Sequence, residues 1–139
     1  MPIDIQRQST VLLTDALSDA RAFLVDVAGF EVTMDIGWFA SLAHPETGAL
    51  VDLWARDHEK VPAVHAGIPG GYLVALVVED LAATEAAFVA GGAEITEPAV
   101  DEPWGQRHFF ARAPGGIVFD VVQPIPPDLD WLAAHGLAT

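Results

Sequence analysis

The chain carries the same pattern of elements twice, and this internal repeat limits its possible folds more than any other feature. Residues 17–33 and 81–96 each contain a helical segment, a glycine stop and a similar strand start, GFEVT in the first copy and GAEIT in the second. Before them, STVLLTDAL (9–17) and LVALVVEDL (73–81) align at a constant separation of 64 residues. Self-similarity at a fixed period indicates a repeated supersecondary unit, so the sequence predicts two copies of one structural module.

Each copy predicts the order strand, helix, strand, strand, strand. Apolar residues at helical spacing before Gly29 predict a first helix over Ser18–Ala28, and the same pattern predicts a second helix over Leu81–Ala90. Proline and glycine in HPETG and APGG supply the dihedral angles of tight turns, so the short apolar runs around them predict hairpins. A third, short helix is predicted over Asp130–His135. The fold class that follows is α+β, with two βαβββ modules.

The length of the chain matches one ordinary domain, so we expect residues 1–139 to form a single domain. Its predicted parts are module one over 8–56, a linker over 57–71, module two over 72–123 and a C-terminal tail over 124–139. The linker DHEKVPAVHAGIPGG has no sustained period and contains several turn-forming residues. The two modules therefore meet at a segment without predicted strands or long helices.

The composition excludes several classes of function. The chain has no cysteine, so it has no thiolate metal site, no cysteine nucleophile and no disulfide. Six Lys and Arg against twenty Asp and Glu give a formal net charge of −14, which repels nucleic-acid phosphates and anionic membranes. The first residues, MPIDIQRQST, lack the features of a secretory signal, and no apolar run is long enough to span a bilayer. We therefore expect a cytoplasmic, acidic protein without nucleic-acid or membrane partners.

Two aspartates occupy equivalent positions in the two copies. Asp52 lies in GALVDLW, and Asp120 lies 68 residues later in GGIVFDVV. Because side chains alternate along a strand, residues two positions from each acid share its face, and the residues between them pack toward the helices. The residues predicted by this rule to be core are Val51, Leu53, Ile117, Phe119 and Val121.

The paired βαβββ units, the phrase PWGQR and the turn APGG before a strand with a single acid resemble the vicinal oxygen chelate superfamily. That superfamily includes glyoxalase I, extradiol dioxygenases, and bleomycin and mitomycin resistance proteins. The resemblance runs from about Thr10 to Gln123 and implies a curved, cup-shaped mixed sheet with the helices outside. It also implies a homodimer, with modules paired within a chain or swapped between chains, because open sheet edges need cover.

In metal-dependent members of the superfamily, the first and fourth strands of each module hold a divalent ion. The resemblance places these four positions at Ser9, Asp52, Leu73 and Asp120. Leu73 has no donor atom and a serine hydroxyl is a weak ligand, so two carboxylates fall short of the three protein ligands of a catalytic site. We expect no metal and no other cofactor. The alternative is a metal-dependent lyase, isomerase or dioxygenase that uses Asp52, Asp120 and His108.

We therefore expect a ligand-binding protein of the drug-resistance type. Sequestration of the ligand is favoured over catalysis. It would bind an aromatic ligand, with or without a positive charge, because stacking on tryptophan adds about 0.5 to 1.5 kcal/mol per pair and a cation adds more. Ser9, Arg107 or water could satisfy the two acids, and Arg107 could instead anchor the β-turn. The candidate ligand-binding residues are Ser9, Trp38, Asp52, Trp54, Leu73, Trp104, Arg107, His108 and Asp120.

Overall fold

The computed structural model describes residues 1–67 and 70–137. Residues 68 and 69 of the predicted linker and residues 138 and 139 of the predicted tail lie outside the described residues. The strands are β1 (Thr10–Thr14), β2 (Glu31–Asp35), β3 (Phe39–Ala43), β4 (Leu50–Ala55), β5 (Val74–Val77), β6 (Glu94–Glu102), β7 (Gln106–Arg112) and β8 (Val118–Pro124). The helices are α1 (Leu17–Asp26), α2 (Leu81–Ala90) and α3 (Leu129–Ala134), and a single 3-10 turn lies at Ala63–His65.

The predicted α+β class and the repeated βαβββ order are confirmed. Each module forms its own four-stranded sheet, with the order β1-β4-β3-β2 in the first and β5-β8-β7-β6 in the second. In each sheet one pair is parallel, β1 with β4 and β5 with β8, and the other pairs are antiparallel. Within the described part of the chain, no helix is long and apolar enough to cross a membrane.

The helices begin and end close to their predicted limits. Helix α1 ends at Asp26, two residues before the predicted end, because the backbone N–H groups of Val27 and Ala28 both donate to the carbonyl of Phe23. Helix α2 has the predicted limits. Helix α3 begins one residue earlier than predicted, where the side chain of Asp128 accepts a hydrogen bond from the N–H of Trp131 and caps the first turn.

The chain divides into two compact units, the first Met1–Gly70 with Pro114–Ile117 and the second Gly71–Ala113 with Val118–Thr139. In the first unit the Thr14 hydroxyl donates to the carbonyl of Gly115 at 2.7 Å. A Cβ at position 115 would lie 2.4 Å from the Cβ of Ala20. Gly115 also has a φ of +84°, so this close packing requires glycine.

The core of each unit lies between its helix and one face of its sheet. In the first unit, the buried Phe23 and Leu24 belong to α1, and the buried Val51 and Leu53 belong to β4, which contacts this helix. In the second unit, α2 contacts β6, β7 and β8. The five residues predicted to be core from strand alternation are all buried, which confirms the predicted face of β4 and β8.

Aromatic rings fill the core of the second unit. Phe88 of α2 makes edge-to-face contacts with Phe109 of β7 at 5.7 Å and with Phe119 of β8 at 5.2 Å. Edge-to-face rings at such separations contribute beyond the area that they bury. The helix is therefore held against the central strands, and the opposite face of β8 carries Asp120.

Candidate functional site

Asp52 and Asp120 occupy the same place in their two sheets. Val11 is the partner of Asp52 in the parallel pair of the first unit, and Ala75 is the partner of Asp120 in the second. Val11 and Ala75 are themselves separated by the 64 residues of the repeat. The predicted equivalence of the two acids is therefore confirmed residue by residue.

Asp52 is satisfied on one side only. The Ser9 hydroxyl donates to Oδ2 of Asp52 at 2.6 Å, so one of the partners expected for this acid is present. The other oxygen, Oδ1, is buried and has no hydrogen-bond partner. A buried acceptor without a donor is costly, because it has lost water and gained nothing in exchange.

Trp54 lies two residues further along β4, on the face of Asp52, and also has a buried polar atom without a hydrogen-bond partner. Its indole Nε1 is buried and has no acceptor. The ring of Trp38 meets it edge-to-face with centroids 5.3 Å apart. Trp38 in turn stacks on His58, with ring planes 6° apart and centroids 3.8 Å apart. Trp38 and Trp54 are therefore both half-buried members of one aromatic cluster beside Asp52.

In the second unit, His108 lies between two acids. Its Nδ1 is 2.8 Å from Oδ1 of Asp120 and its Nε2 is 3.1 Å from Oε1 of Glu102. Ionised carboxylates only accept hydrogen bonds, so an imidazole that satisfies both must carry a proton on each nitrogen. Burial lowers the pKa of His108 and is the largest single effect, but hydrogen bonds to Glu102 and Asp120, with their charges, raise the pKa above its ordinary value.

The suggested ion pair between Arg107 and Asp120 is wrong. Arg107 and His108 are adjacent on β7 and therefore point to opposite faces, and His108 takes the face of Asp120. Arg107 instead pairs with Asp101 across the β6–β7 hairpin, with Nε at 2.5 Å and Nη2 at 3.0 Å from its two oxygens. The hydrogen bond from Arg107 lowers the pKa of Asp101 below its ordinary value. This pair fits the other suggestion, that Arg107 anchors the turn.

Two further candidates lie in more exposed positions of the second unit. The indole N–H of Trp104 donates to the side-chain oxygen of Gln106 at 2.8 Å, and its ring lies 6.5 Å from His108 and 6.0 Å from Trp131 of α3. Leu73, just before β5, is 53% exposed. Of the nine candidates, the first unit contains Ser9, Trp38, Asp52 and Trp54, and the second contains Leu73, Trp104, Arg107, His108 and Asp120.

Two polar residues of these clusters were not among the candidates. Glu102 ends β6 and reaches His108 because the short turn PWG brings the two strands together. That turn is a signal in the sequence, since residues on either side of it face one another. His58 comes from the linker, where no periodic pattern indicates which side chains point toward a sheet.

The residues at the metal positions of the resemblance do not fit a divalent ion. Leu73 has no donor atom, the Ser9 hydroxyl is committed to Asp52, and Oδ1 of Asp120 is committed to His108. Over residues 1–67 and 70–137, no three His, Cys, Asp or Glu side chains are grouped so that they could hold a metal ion. The two clusters offer hydrogen bonds, charge and aromatic surface.

Several solved structures share this fold. A member of the glyoxalase/bleomycin resistance protein/dioxygenase superfamily from Sphaerobacter thermophilus is 24% identical, with a TM-score of 0.68 over 86% of this chain and 98% of that one. A glyoxalase/bleomycin resistance protein/dioxygenase from Nocardioides is 23% identical, with a TM-score of 0.64 over 89% and 87%. A family enzyme from Burkholderia phytofirmans is 16% identical, with a TM-score of 0.74 over 84% and 98%. No curated protein matches the chain significantly.

The family model of these proteins also matches the sequence. The match runs from residue 7 to residue 121 and so includes both acids and both βαβββ modules up to the middle of β8. The structural neighbours agree with it in fold. The chain therefore belongs to the Glyoxalase/Bleomycin resistance protein/Dioxygenase superfamily.

Proposed function

We propose that this chain is a metal-independent binding protein that sequesters an aromatic small molecule, with or without a positive charge. The observation that carries the proposal is the buried Oδ1 of Asp52, which has no donor. An unsatisfied buried acceptor costs about 1 to 3 kcal/mol, and more when it is charged. A ligand that brings an N–H or O–H group to this atom removes that cost on binding, and a cationic donor gains most.

The aromatic character of the ligand follows from the neighbours of Asp52. Trp54 shares its strand face, and Trp38 packs edge-to-face against Trp54. Tryptophan side chains offer a large apolar surface to a flat guest, and their ring faces attract cations. A binding role also fits the inclusion of bleomycin resistance proteins in the name of the family.

The same proposal includes a homodimer in the cytoplasm. All five residues of the edge strand β2 are exposed, among them Val32 at 42% and Met34 at 48%. An exposed edge strand with apolar side chains can pair with a strand of another molecule, and a second copy of the chain would cover it. The net charge of −14 would raise the local concentration of a cationic ligand around such a dimer.

The test is a screen of neutral and cationic aromatic compounds by quenching of tryptophan fluorescence, followed by calorimetry of the compounds that respond. We expect one ligand per chain and a tenfold or greater loss of affinity in Asp52→Asn for ligands with a cationic donor. The matched control is Asp26→Asn at the exposed end of α1, which should leave the affinity unchanged. A protein that responds to none of the compounds would contradict the proposal.

Elemental analysis separates the proposal from the enzymatic alternative. We expect less than a stoichiometric amount of divalent metal in protein purified without chelators, in the wild type and in Asp120→Ala alike. A stoichiometric metal that is lost in Asp120→Ala would instead support a metal-dependent lyase, isomerase or dioxygenase.

A further inference from the structure

We propose that Asp52 and Trp54 together form a subsite for one edge of a ligand that carries a hydrogen-bond donor beside an acceptor, such as the edge of an aryl amide or a lactam. This inference rests on the proposed function and names the chemical class of its ligand. The donor of the ligand would bind Oδ1 of Asp52, and its acceptor would bind the indole N–H of Trp54.

Two buried atoms of β4 lack hydrogen-bond partners and complement each other. In the described part of the chain, Asp52 Oδ1 and Trp54 Nε1 are the only buried side-chain nitrogen or oxygen atoms without a hydrogen-bond partner. One only accepts and the other only donates. They belong to alternate residues of β4, so they lie on one face, with Cβ atoms about 6 to 7 Å apart. They do not bond to each other, so a single group that carries both a donor and an acceptor and lies between them would satisfy both.

The sheet does not supply that group. The strand neighbours of Trp54 are Leu13 on β1 and Phe39 on β3, which have no acceptor in their side chains. The β1 neighbour of Asp52 is Val11, which has no donor, and its β3 neighbour is the buried Ser41, whose hydroxyl makes no hydrogen bond to Oδ1. The nearby hydroxyl of Ser9 is already bound to the other oxygen of Asp52. The neighbouring side chains of the sheet thus leave both atoms without hydrogen-bond partners.

The pair discriminates between ligands that differ in a single group. A ligand with only an acceptor would bury Asp52 without a donor, and a ligand with only donors would set N–H against the N–H of Trp54. A site with buried polar groups rejects an analogue that leaves one of them unpaired more strongly than an apolar site rejects a missing methyl group. The edge that fits is one with both functions side by side, and the ring behind it would lie against Trp38 and Trp54.

Three compounds of nearly equal shape test this inference. Benzamide carries both functions, acetophenone carries only the acceptor, and benzamidine carries only donors and a positive charge. Titrations followed by the indole N–H signals in proton–nitrogen NMR of the unmodified protein should move the Trp54 signal strongly with benzamide and acetophenone, and hardly with benzamidine. Because this measurement uses the unmodified chain, it does not depend on whether a variant folds.

The affinities of variants for the three compounds provide a second test. Trp54→Phe keeps a ring but loses the N–H, and we expect about a tenfold weaker binding of benzamide and acetophenone with unchanged binding of benzamidine. Asp52→Asn should weaken benzamidine and benzamide but spare acetophenone. The control is Trp131→Phe in α3, a tryptophan that is not among the candidate ligand-binding residues, and it should alter none of the three affinities.

The results distinguish failure of this inference from failure of the proposed function. If Trp54→Phe weakens all three compounds equally, or if the Trp54 signal responds to none of them while they bind, the indole N–H takes no part and the inference fails. A bound water that already bridges the two atoms would give the second of these results. If other aromatic compounds bind but none of these three does, this inference fails alone. If no aromatic compound binds at all, the proposed function fails as well.

Discussion

The Nδ1 atom of His108 lies 2.8 Å from Oδ1 of Asp120 on the neighbouring strand β8. In the first module, the position equivalent to His108 is occupied by Phe39, because both residues pair with the residue two places after the acid. A phenylalanine cannot donate to Asp52. The second acid is therefore compensated from β7, and the first acid has no such partner.

The compensation of Asp52 comes from the opposite side. Ser9, just before β1, donates to Asp52, and the equivalent residue before β5 is Leu73. A hydroxyl brings no positive charge to the carboxylate, whereas a protonated imidazole does. The two copies of the module thus differ at the same register positions, and the acid without a cationic partner is the one that lies beside the tryptophan cluster.

The raised pKa of His108 predicts a pH dependence of stability. A group whose pKa is higher in the folded chain than its unfolded value of about 6.5 stabilises the fold below that pH and loses this contribution as the pH rises through the folded pKa. We expect the urea midpoint of the wild type to fall relative to that of His108→Gln as the pH increases above about 6.5. The control is His65→Gln in the exposed 3-10 turn, which should follow the wild type.

The contribution of Glu102 can be separated from that of Asp120. Glu102→Gln removes one of the two charges that hold the proton on His108, so the pKa of His108 should fall and the free energy of unfolding at pH 6 should decrease by about 1.5 kcal/mol. Imidazole signals in a pH titration by NMR measure the first effect, and urea unfolding measures the second. Glu97→Gln, an exposed change on the same strand, should have neither effect. An unchanged titration of His108 would show that Glu102 does not hold the proton.

Gly115 and Gly116 provide a matched pair for the packing of the turn. Both have φ near +83°, but a Cβ at 115 meets Ala20, and a Cβ at 116 has no heavy atom within 4 Å. Both substitutions by alanine carry the cost of a left-handed backbone, about 1 to 2 kcal/mol. Gly115→Ala should cost a further 1 to 3 kcal/mol or so because of overpacking. Equal losses in thermal or urea unfolding would contradict the tight contact with Ala20.

The hydrogen bond from Ser9 to Asp52 should contribute to stability as well as to the site. Ser9→Ala leaves both oxygens of Asp52 without a side-chain donor, so we expect the free energy of unfolding to decrease by about 1.5 to 3 kcal/mol, the range for bonds to charged groups. Ser18→Ala, an exposed substitution in the first turn of α1, is the control and should cost nothing. If the two variants unfold at the same urea concentration, the Ser9 bond carries no net energy.

The repeat and the strand period were sufficient to predict most of the fold. The equivalence of Asp52 and Asp120 follows from the 64-residue and 68-residue separations alone, and the buried positions of β4 and β8 follow from alternation. Helix α2 was predicted to the residue because Gly91 and Gly92 follow it directly.

The partners of the site were harder to predict, for a physical reason. Strand β6 shifts register twice against β7, between Ile95 and Glu97 and between Glu97 and Val100. Counting from the start of β6 therefore does not show which residues face His108, whereas counting from the turn PWG, beside which the pairing is regular, places Glu102 on its face. His58 reaches Trp38 from a segment without periodicity, where no rule of alternation applies.

The bond between Thr14 and Gly115 joins residues 101 positions apart. A ribosome must therefore release nearly the whole chain before the first module can complete its interior, even though its four strands and its helix are made early. We expect the nascent first half to remain incompletely packed until the hairpin of the second half has formed. The first copy of the repeat consequently completes its packing only after part of the second copy has been synthesised.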